Sequence, residues 1–252
     1  MTLEQAFSLG DREVISAVGG GGKTTFMYAL GRELCAHRKG VILTTTTKIL
    51  EPEPSPFFIQ FLSHELAKVK NWLKENLDRP CCLLIARERL PDGKLEGIFP
   101  EWVDEIFSMS GVSIVIDEAD GSAGRPLKAP REGEPVIPSG TTLLIPFVGI
   151  DGMGCPLNED KVFRSAIASR LLNLPIGTIV TEEVIARLVA ELIRGGPAGA
   201  RVIPLINKVE IPGGLEKARS LARHLLSDDP GKIKRVVLAQ LQHSAAVKEL
   251  VP

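Results

Sequence analysis

The sequence is poor in aromatic residues, at 5 %, and its net charge at neutral pH is only −1 over 252 residues. Proteins that bind nucleic acid need a basic excess for phosphates and commonly stack bases on aromatic rings, so this composition argues against that class. No apolar run reaches the ~18–20 residues of a membrane-spanning helix, and no basic-then-apolar signal opens the chain. The four cysteines lack the paired spacing of a metal site. We therefore expect a cytoplasmic protein without a nucleic-acid or membrane partner.

A stretch near the amino terminus carries most of the functional information in the sequence. Residues 14–25 read VISAVGGGGKTT, an apolar run followed by four glycines, a lysine and two hydroxyl residues. Glycines of this kind let backbone N–H groups face phosphate oxygens, and the helix that follows adds the positive end of its dipole. Ala17 stands where the usual motif has its first glycine, which is acceptable only with a negative φ. The predicted nucleotide contacts of this phosphate-binding loop (P-loop) are Gly19, Gly20, Gly21, Gly22, Lys23, Thr24 and Thr25.

Apolar runs and helical patterns alternate along the rest of the chain. Strands are predicted at 40–44, 81–86, 111–116, 142–148, 202–206 and 233–239, and helices at 24–37, 63–77, 100–107, 158–172, 181–193 and 215–226. This alternation predicts an α/β fold, with a mainly parallel sheet and helices on both faces. With the glycine-rich loop it predicts a P-loop NTPase-like three-layer sandwich. No repeat or long linker divides the sequence, so a single domain over residues 1–252 is expected.

Two carboxylates end the apolar run at 112–116. Acidic residues placed after a strand beside a P-loop hold Mg²⁺ or orient the attacking water. Because side chains alternate along a strand, Asp117 and Glu118 cannot both face the phosphates. We predict Thr24 and Asp117 as the Mg²⁺ ligands, Glu118 as the water-orienting or switch residue, and Lys23 as the group that reaches the β- and γ-phosphates. A solvated acidic turn is the alternative.

The segment at 121–131 combines cations with glycine and proline. Arg125 and Lys128 are candidates for clamping a phosphate or an anionic substrate, since cationic donors suit oxyanions. Asp120, which precedes the segment, is included among these candidates. An ordinary solvated loop is an equally open interpretation.

Two more segments follow predicted strands and carry candidate contacts. Thr46 and Lys48 belong to TTTTK at 44–48, where a hydroxyl would contact Mg²⁺ or the γ-phosphate, unless the threonines only continue the strand. Asp151 lies in the glycine-rich stretch at 148–156, which permits close approach of a ligand or forms a tight loop. Arg164, on the next predicted helix, is a further anion contact.

The motif Asn207-Lys208-Val209-Glu210 follows the predicted strand at 202–206. An Asn-Lys-x-Asp sequence at this place is the guanine reader of many GTPases, because its carboxylate accepts from the guanine N1–H and 2-amino group. Glu210 is one methylene longer than the usual Asp. We therefore predict Asn207, Lys208 and Glu210 as nucleotide contacts, with the choice between adenine and guanine left open.

Five segments together resemble the YqeC family of selenium-dependent hydroxylase accessory proteins. They are GGGGKTT (19–25), TTTTK (44–48), DEADGSAGRPLKAP (117–130), EPVIP (134–138) and VGIDGMGCPL (148–157). The resemblance implies a P-loop protein associated with maturing molybdenum hydroxylases. It also extends to metallocentre-assembly GTPases, in which an apolar strand ends in Glu-x-x-Gly, as Glu118-Ala-Asp-Gly121 does here.

These observations lead to one preferred hypothesis and two rivals. The preferred one is a Mg²⁺-dependent protein that binds ATP or GTP, hydrolyses it slowly, and assists maturation of a molybdenum hydroxylase. Its expected partners are that hydroxylase or its cofactor, and a homodimer is also open. The first rival is a small-molecule kinase or nucleotidyl transferase acting on a pterin or another anionic acceptor. The second is a binding module that uses nucleotide only to stabilise its fold.

Overall fold

The computed structural model describes residues 1–229 and 231–252, in which strands and helices alternate as predicted. The strands are β1 (Glu13–Gly19), β2 (Val41–Thr45), β3 (Lys48–Leu50), β4 (Phe58–Leu62), β5 (Cys82–Ala86), β6 (Glu88–Arg89), β7 (Lys94–Glu96), β8 (Ile114–Glu118), β9 (Leu127–Lys128), β10 (Leu143–Gly149), β11 (Val162–Phe163), β12 (Arg201–Val202), β13 (Leu205–Asn207), β14 (Val236–Ala239) and β15 (Val247–Val251). The helices are α1 (Leu3–Phe7), α2 (Lys23–Leu34), α3 (Leu66–Asn76), α4 (Pro100–Phe107), α5 (Ser165–Leu172), α6 (Glu182–Ile193) and α7 (Gly214–Asp228).

A large sheet places β1 near its centre. The strand order is β15-β14-β13-β10-β1-β8-β2-β5-β4, with β12 also paired to β10. The pairs around β1 are parallel, and the β14–β15 pair at one edge is antiparallel. Because parallel strands end at the same edge, the loops that follow β1, β8, β2, β10 and β13 gather on one side of the sheet. The predicted α/β class with a mainly parallel sheet is confirmed.

Helices cover both faces of this sheet. On one face α2 buries Phe26 and Leu30 in a cluster that includes Ile15 of β1. On the opposite face, α3 and α4 pack in a cluster that includes Val14, while α6 and α7 pack in one that includes Val18. Alternate residues of β1 therefore serve opposite layers, as the pleat of a strand requires. The predicted three-layer sandwich is confirmed.

Apart from shifts of up to three residues at the ends of elements, the structure differs from the predicted elements in two places. The helix predicted over 158–172 begins only at Ser165, because Asn158 Oδ1 accepts from two following amides at 3.2 Å and closes a turn. Arg164 then takes a left-handed φ of 63° at the start of the helix. The strand predicted over 202–206 is interrupted at Pro204, which has no N–H to donate, so β12 and β13 are separate.

Several short elements had no recognisable period in the sequence. In the antiparallel sheet β3-β7-β6, β3 follows β2 whereas β6 and β7 follow β5, and each strand is two or three residues long. Within residues 1–229 and 231–252, no helix is both long and apolar enough to cross a membrane.

Replacing Phe26 by Ala is expected to lower the free energy of unfolding by about 3–5 kcal/mol. The ring is fully buried and makes edge contacts with Phe7 and Phe147, at centroid distances of 5.4 and 5.1 Å. Urea titration followed by circular dichroism measures the change. Ile176→Ala is the surface control: its side chain is 55 % exposed, and a change below about 0.5 kcal/mol is expected. A loss below about 1 kcal/mol for Phe26→Ala would contradict this packing.

Candidate functional site

The glycine loop joins β1 to α2 in a conformation that only glycine adopts easily. Gly19, Gly21 and Gly22 have φ values of 92°, 93° and 131°. A Cβ on Gly21 would lie 2.4 Å from the amide nitrogen of Gly149, so side chains are excluded there. Ala17 is a regular strand residue paired with Ile145 and has no positive φ, which meets the condition set by its replacement of glycine.

Some backbone N–H groups of the loop donate hydrogen bonds within the chain, and others have no acceptor in the described residues. The amide of Gly19 donates to both carboxylate oxygens of Asp120, at 3.0 and 2.9 Å, and that of Gly20 donates to the Phe147 carbonyl. The amides of Gly21 and Gly22 have no acceptor among the residues that the structure describes. The first turn of α2 adds further N–H groups that no residue caps. This is the donor arrangement that an anion at a helix N-terminus needs.

Lys23 is buried, with 2 % of its surface exposed, and its Nζ donates to the Gly19 carbonyl of the loop at 2.5 Å. The ammonium is 3.1 Å from Asp120 and 3.8 Å from Glu118, and it also donates to the Ser122 hydroxyl at 3.3 Å. The carboxylates of Asp120 and Glu118 thus compensate the positive charge of Lys23, the charge that a bound phosphate would contact.

Glu118, and not Asp117, lies beside Thr24. Ile116 packs in the same cluster as α2, and alternation along β8 puts Glu118 on that face as well. The Thr24 hydroxyl donates to Glu118 Oε2 at 2.6 Å. Burial raises the pKa of Glu118, against the opposing effects of the Lys23 ammonium and the Thr24 hydrogen bond.

Asp117 points to the other face and is fully buried. The Thr46 hydroxyl lies 3.4 Å from its Oδ2 but gives its one hydrogen to the Val136 carbonyl at 2.8 Å. Burial, reinforced by the neighbouring Glu118 charge, raises the pKa of Asp117 well above its ordinary value. The protonated form can donate to Thr46 and removes the cost of a buried charge, so Asp117 and Thr46 belong to the core beside the site.

A chain of ion pairs leads away from the loop. Lys128 is fully buried, and its Nζ lies 2.9 Å from Asp120 and 2.8 Å from Glu134. Arg164 donates to Glu134 at 2.9 Å, and Arg131 lies 2.8 Å from the same carboxylate. Burial would raise the pKa of Glu134, but hydrogen bonds from Arg164 and Lys128 outweigh it and lower the value to about 2. The predicted anion contacts Asp120, Lys128 and Arg164 are therefore held in one chain of ion pairs, in which Glu134 joins Arg164 to Lys128.

The motif after β13 lies on the opposite side of β1 from β8. Asn207 donates through Nδ2 to the Gly21 carbonyl at 2.8 Å and accepts from the Leu241 amide at 3.1 Å. Lys208 has a φ of 66°, and its Nζ is 2.8 Å from Asp151. Glu210 is exposed. Asn207 therefore fixes the shape of the loop.

One cleft of about 690 Å³ gathers these groups. Of the residues predicted from the sequence, it is lined by Gly21, Gly22, Lys23, Thr24, Thr25, Lys48, Glu118, Asn207, Lys208 and Glu210. Those predicted residues that lie outside its lining are Gly19, Gly20, Thr46, Asp117, Asp120, Arg125, Lys128, Asp151 and Arg164. Arg125 instead donates to the Glu159 carbonyl at 2.7 Å.

Comparison with known proteins supports the family resemblance found in the sequence, since the matched region contains all five segments that carry it. The family model of the YqeC protein matches residues 15–166. The chain belongs to the YqeC family. The Uncharacterized protein YqeC of Escherichia coli strain K12 is 30 % identical over 198 residues, which is 77 % of this chain and 75 % of that relative.

The region matched by the YqeC model contains both the glycine loop and the ion-pair chain. It includes β1 from Ile15 onward, Glu118 and the ion-paired residues up to Arg164, and it ends before Asn207. The part of the chain beyond this match therefore builds the wall of the cleft that is lined by Asn207, Lys208, Glu210, Ile211, Leu241 and Gln242.

Sequence reasoning did not single out ten residues that line the cleft: Ile49, Leu50, Lys94, Gly121, Ser122, Ala123, Gly124, Ile211, Leu241 and Gln242. Leu241 and Gln242 follow the strand predicted at 233–239, so their place at the carboxyl edge of the sheet was available as a signal. Ile49, Leu50 and Lys94 belong to short strands that have no detectable period.

Replacing Glu134 by Gln is expected to destabilise the protein by about 2–3 kcal/mol at pH 7 and much less near pH 2. The folded pKa of Glu134 is lowered from 4.5 to about 2, so the ionised carboxylate stabilises the fold above pH 4.5. That contribution is lost as the pH falls through 2. Urea titrations of wild type and variant across this range measure the difference. Glu132→Gln, at an exposed neighbouring residue, is the control. A loss of stability for Glu134→Gln that is the same at every pH would contradict the ionised state assigned to Glu134.

Proposed function

We propose that this YqeC-family protein binds a nucleoside triphosphate with Mg²⁺ in the cleft and hydrolyses it slowly. We also propose that it acts as an accessory factor in the maturation of a selenium-dependent molybdenum hydroxylase. The observation that carries the nucleotide assignment is the convergence of free loop amides, Lys23 and the Thr24–Glu118 pair at one place in the cleft. Membership in the YqeC family supports the maturation role.

The loop amides and Lys23 hold the phosphates in this proposal. Gly21 and Gly22 supply N–H donors, and the positive end of the α2 dipole favours a polyanion there. Lys23 turns from Asp120 to the β- and γ-phosphates. Asp120 then keeps Lys128 at 2.9 Å and the Gly19 amide, so its buried charge stays compensated.

Thr24 and Glu118 fit a magnesium ion, since both offer oxygen donors and their oxygens are only 2.6 Å apart. In the described part of the chain, no group of three or more His, Cys, Asp or Glu residues is arranged to hold a metal. Phosphate oxygens and water must therefore complete the coordination, as Mg²⁺ prefers. Bound Mg²⁺ would neutralise charge on the β- and γ-phosphates. We propose Glu118 in place of Asp117 at this position, because Asp117 faces the other side of β8.

Glu118 also suits the hydrolytic step. With Thr24 and one Glu118 oxygen holding the metal, the second Glu118 oxygen would accept a hydrogen bond from water beside the terminal phosphate. The lining contains no arginine among the described residues, so part of the transition-state charge is left for a partner to stabilise. This accounts for slow turnover by the isolated chain.

The base is proposed to lie beside Asn207, Lys208 and Glu210. Leu241 and Ile211 add an apolar surface to the same wall of the cleft. The exposed Glu210 carboxylate suits the paired donors of guanine, while the longer side chain leaves adenine open. Both ATP and GTP are therefore included in the tests below.

A kinase or nucleotidyl transferase acting on a pterin or another anionic acceptor is the second candidate. It is favoured by the extension of the cleft past Glu118 to Lys48, Leu50 and Lys94. In the kinase case an acceptor oxygen bonds to the γ-phosphorus while the bond from that phosphorus to the β–γ bridging oxygen breaks, and the nucleoside diphosphate leaves. Inorganic phosphate as the product supports hydrolysis, whereas a phosphorylated acceptor supports the kinase.

Replacing Lys23 by Met is expected to weaken binding of Mg-ATP and Mg-GTP by at least about tenfold, because a charge-assisted contact to phosphate is lost. Isothermal titration calorimetry measures the affinities, and circular dichroism establishes that the variant is folded. Lys74→Met on α3, where the side chain is exposed, is the matched control. Unchanged affinity in a folded Lys23→Met variant would overturn the proposed function.

Glu118→Gln is expected to lower nucleotide turnover by about 100-fold. Asp117→Asn, one residue away, should stay within about threefold of wild type, because Asp117 does not line the cleft. A phosphate-release assay measures both. The opposite ranking would restore Asp117 as the residue that serves the phosphates.

A further inference from the structure

The small sheet β3-β7-β6 builds a wall of the cleft that the nucleotide does not account for. Lys48, Ile49, Leu50 and Lys94 line the cleft from this sheet. Its strand β3 follows β2, which pairs with β8 on one side of β1, whereas Asn207 ends β13 on the other side. A nucleotide with its base near Asn207 and its phosphates on the loop therefore has this wall beyond its terminal phosphate.

The register of the small sheet puts its charged residues on one face. Lys48 pairs with Glu96, and Leu50 pairs with Lys94, so these side chains share a face. Ile49 between them is 2 % exposed and turns to the core. Leu50 is 63 % exposed. The wall therefore offers both cations and an apolar side chain to the cleft.

The charges on this face are not fully balanced. Arg87 lies 3.2 Å from Glu96, and Asp92 lies 2.8 Å from Lys94. Lys48 makes no ion pair with any residue that the structure describes. Neither Glu96 nor Asp92 lines the cleft, while both lysines do. Lys48 is thus outside any described salt bridge, although its charge helps the Lys94 hydrogen bond to lower the pKa of Asp92, the carboxylate with which an anion here would compete.

The wall is fixed to the helix that follows the glycine loop. The Tyr28 hydroxyl on α2 donates to the Leu50 carbonyl at 3.3 Å. On the other flank, the Thr45 hydroxyl donates to the Glu118 carbonyl at 2.7 Å. Lys48 is therefore presented from a backbone segment anchored at both ends to the elements that hold Thr24 and Glu118, and Lys94 from the strand paired with that segment.

We propose that Lys48, Lys94 and Leu50 form a second subsite, which binds an anionic small molecule with an apolar part next to the terminal phosphate. The inference rests on the proposed nucleotide binding and names the class of the second ligand. A phosphate or a carboxylate group satisfies the lysines, and the apolar part covers Leu50.

The experiment uses the full-length chain saturated with a non-hydrolysable triphosphate and Mg²⁺. Phenyl phosphate and benzoate are titrated as probes, and binding is followed by NMR. The double variant Lys48→Ala/Lys94→Ala is expected to weaken phenyl phosphate binding by about tenfold, because two charged contacts are lost. Its nucleotide affinity should stay within about twofold. Lys68→Ala/Lys74→Ala, a pair of exposed lysines on α3, is the matched control.

The outcomes separate the inference from the proposed function. If wild type binds nucleotide but neither probe, or if the double variant binds phenyl phosphate as well as wild type does, the second subsite is overturned. If the double variant loses affinity for the triphosphate but not for the diphosphate, the lysines serve the γ-phosphate and the subsite is again overturned. If wild type binds no nucleotide, the proposed function fails and the inference falls with it.

Discussion

The Asp120 carboxylate is the contact on which the site depends. It accepts the Gly19 amide with both oxygens and lies 3.1 Å from Lys23 and 2.9 Å from Lys128. Because Asp120 and Lys128 are fully buried, each charge is tolerable only while its partner is in place. The shape of the loop, the position of its lysine and the segment after β8 are consequently held together by one side chain. The chain retains this cluster despite its desolvation cost, which fits a role in positioning the loop.

Asp117 and Glu118 show how a single strand supplies two carboxyl groups with different tasks. The pleat of β8 sends Glu118 towards α2, where Thr24 and Lys23 compensate its charge. It sends Asp117 into the core, where burial favours the neutral acid. From the sequence we predicted Asp117 at the metal and Glu118 as the water-orienting or switch residue. The pattern indicated that both could not face the phosphates, but it could not fix the direction of the pleat.

The large features were predictable because they depend on local patterns. The apolar strands, the amphipathic helices and the glycine loop are each encoded in a continuous segment, and the parallel sheet follows from their alternation. Lys128, Glu134 and Arg164 are different: in sequence they resemble solvated charges, and only their pairing in three dimensions reveals a buried chain. The β3-β7-β6 sheet escaped prediction because strands of two or three residues have no measurable period.

Asn207 connects the glycine loop to the distant edge of the sheet. Through one amide group it ties the Gly21 carbonyl to the Leu241 backbone, which begins the turn between β14 and β15. The outermost hairpin is thus two hydrogen bonds away from the central glycine loop, although β13 and β10 separate them within the sheet. A protein that binds this hairpin and displaces Leu241 would therefore displace Gly21 as well, through the two hydrogen bonds of Asn207.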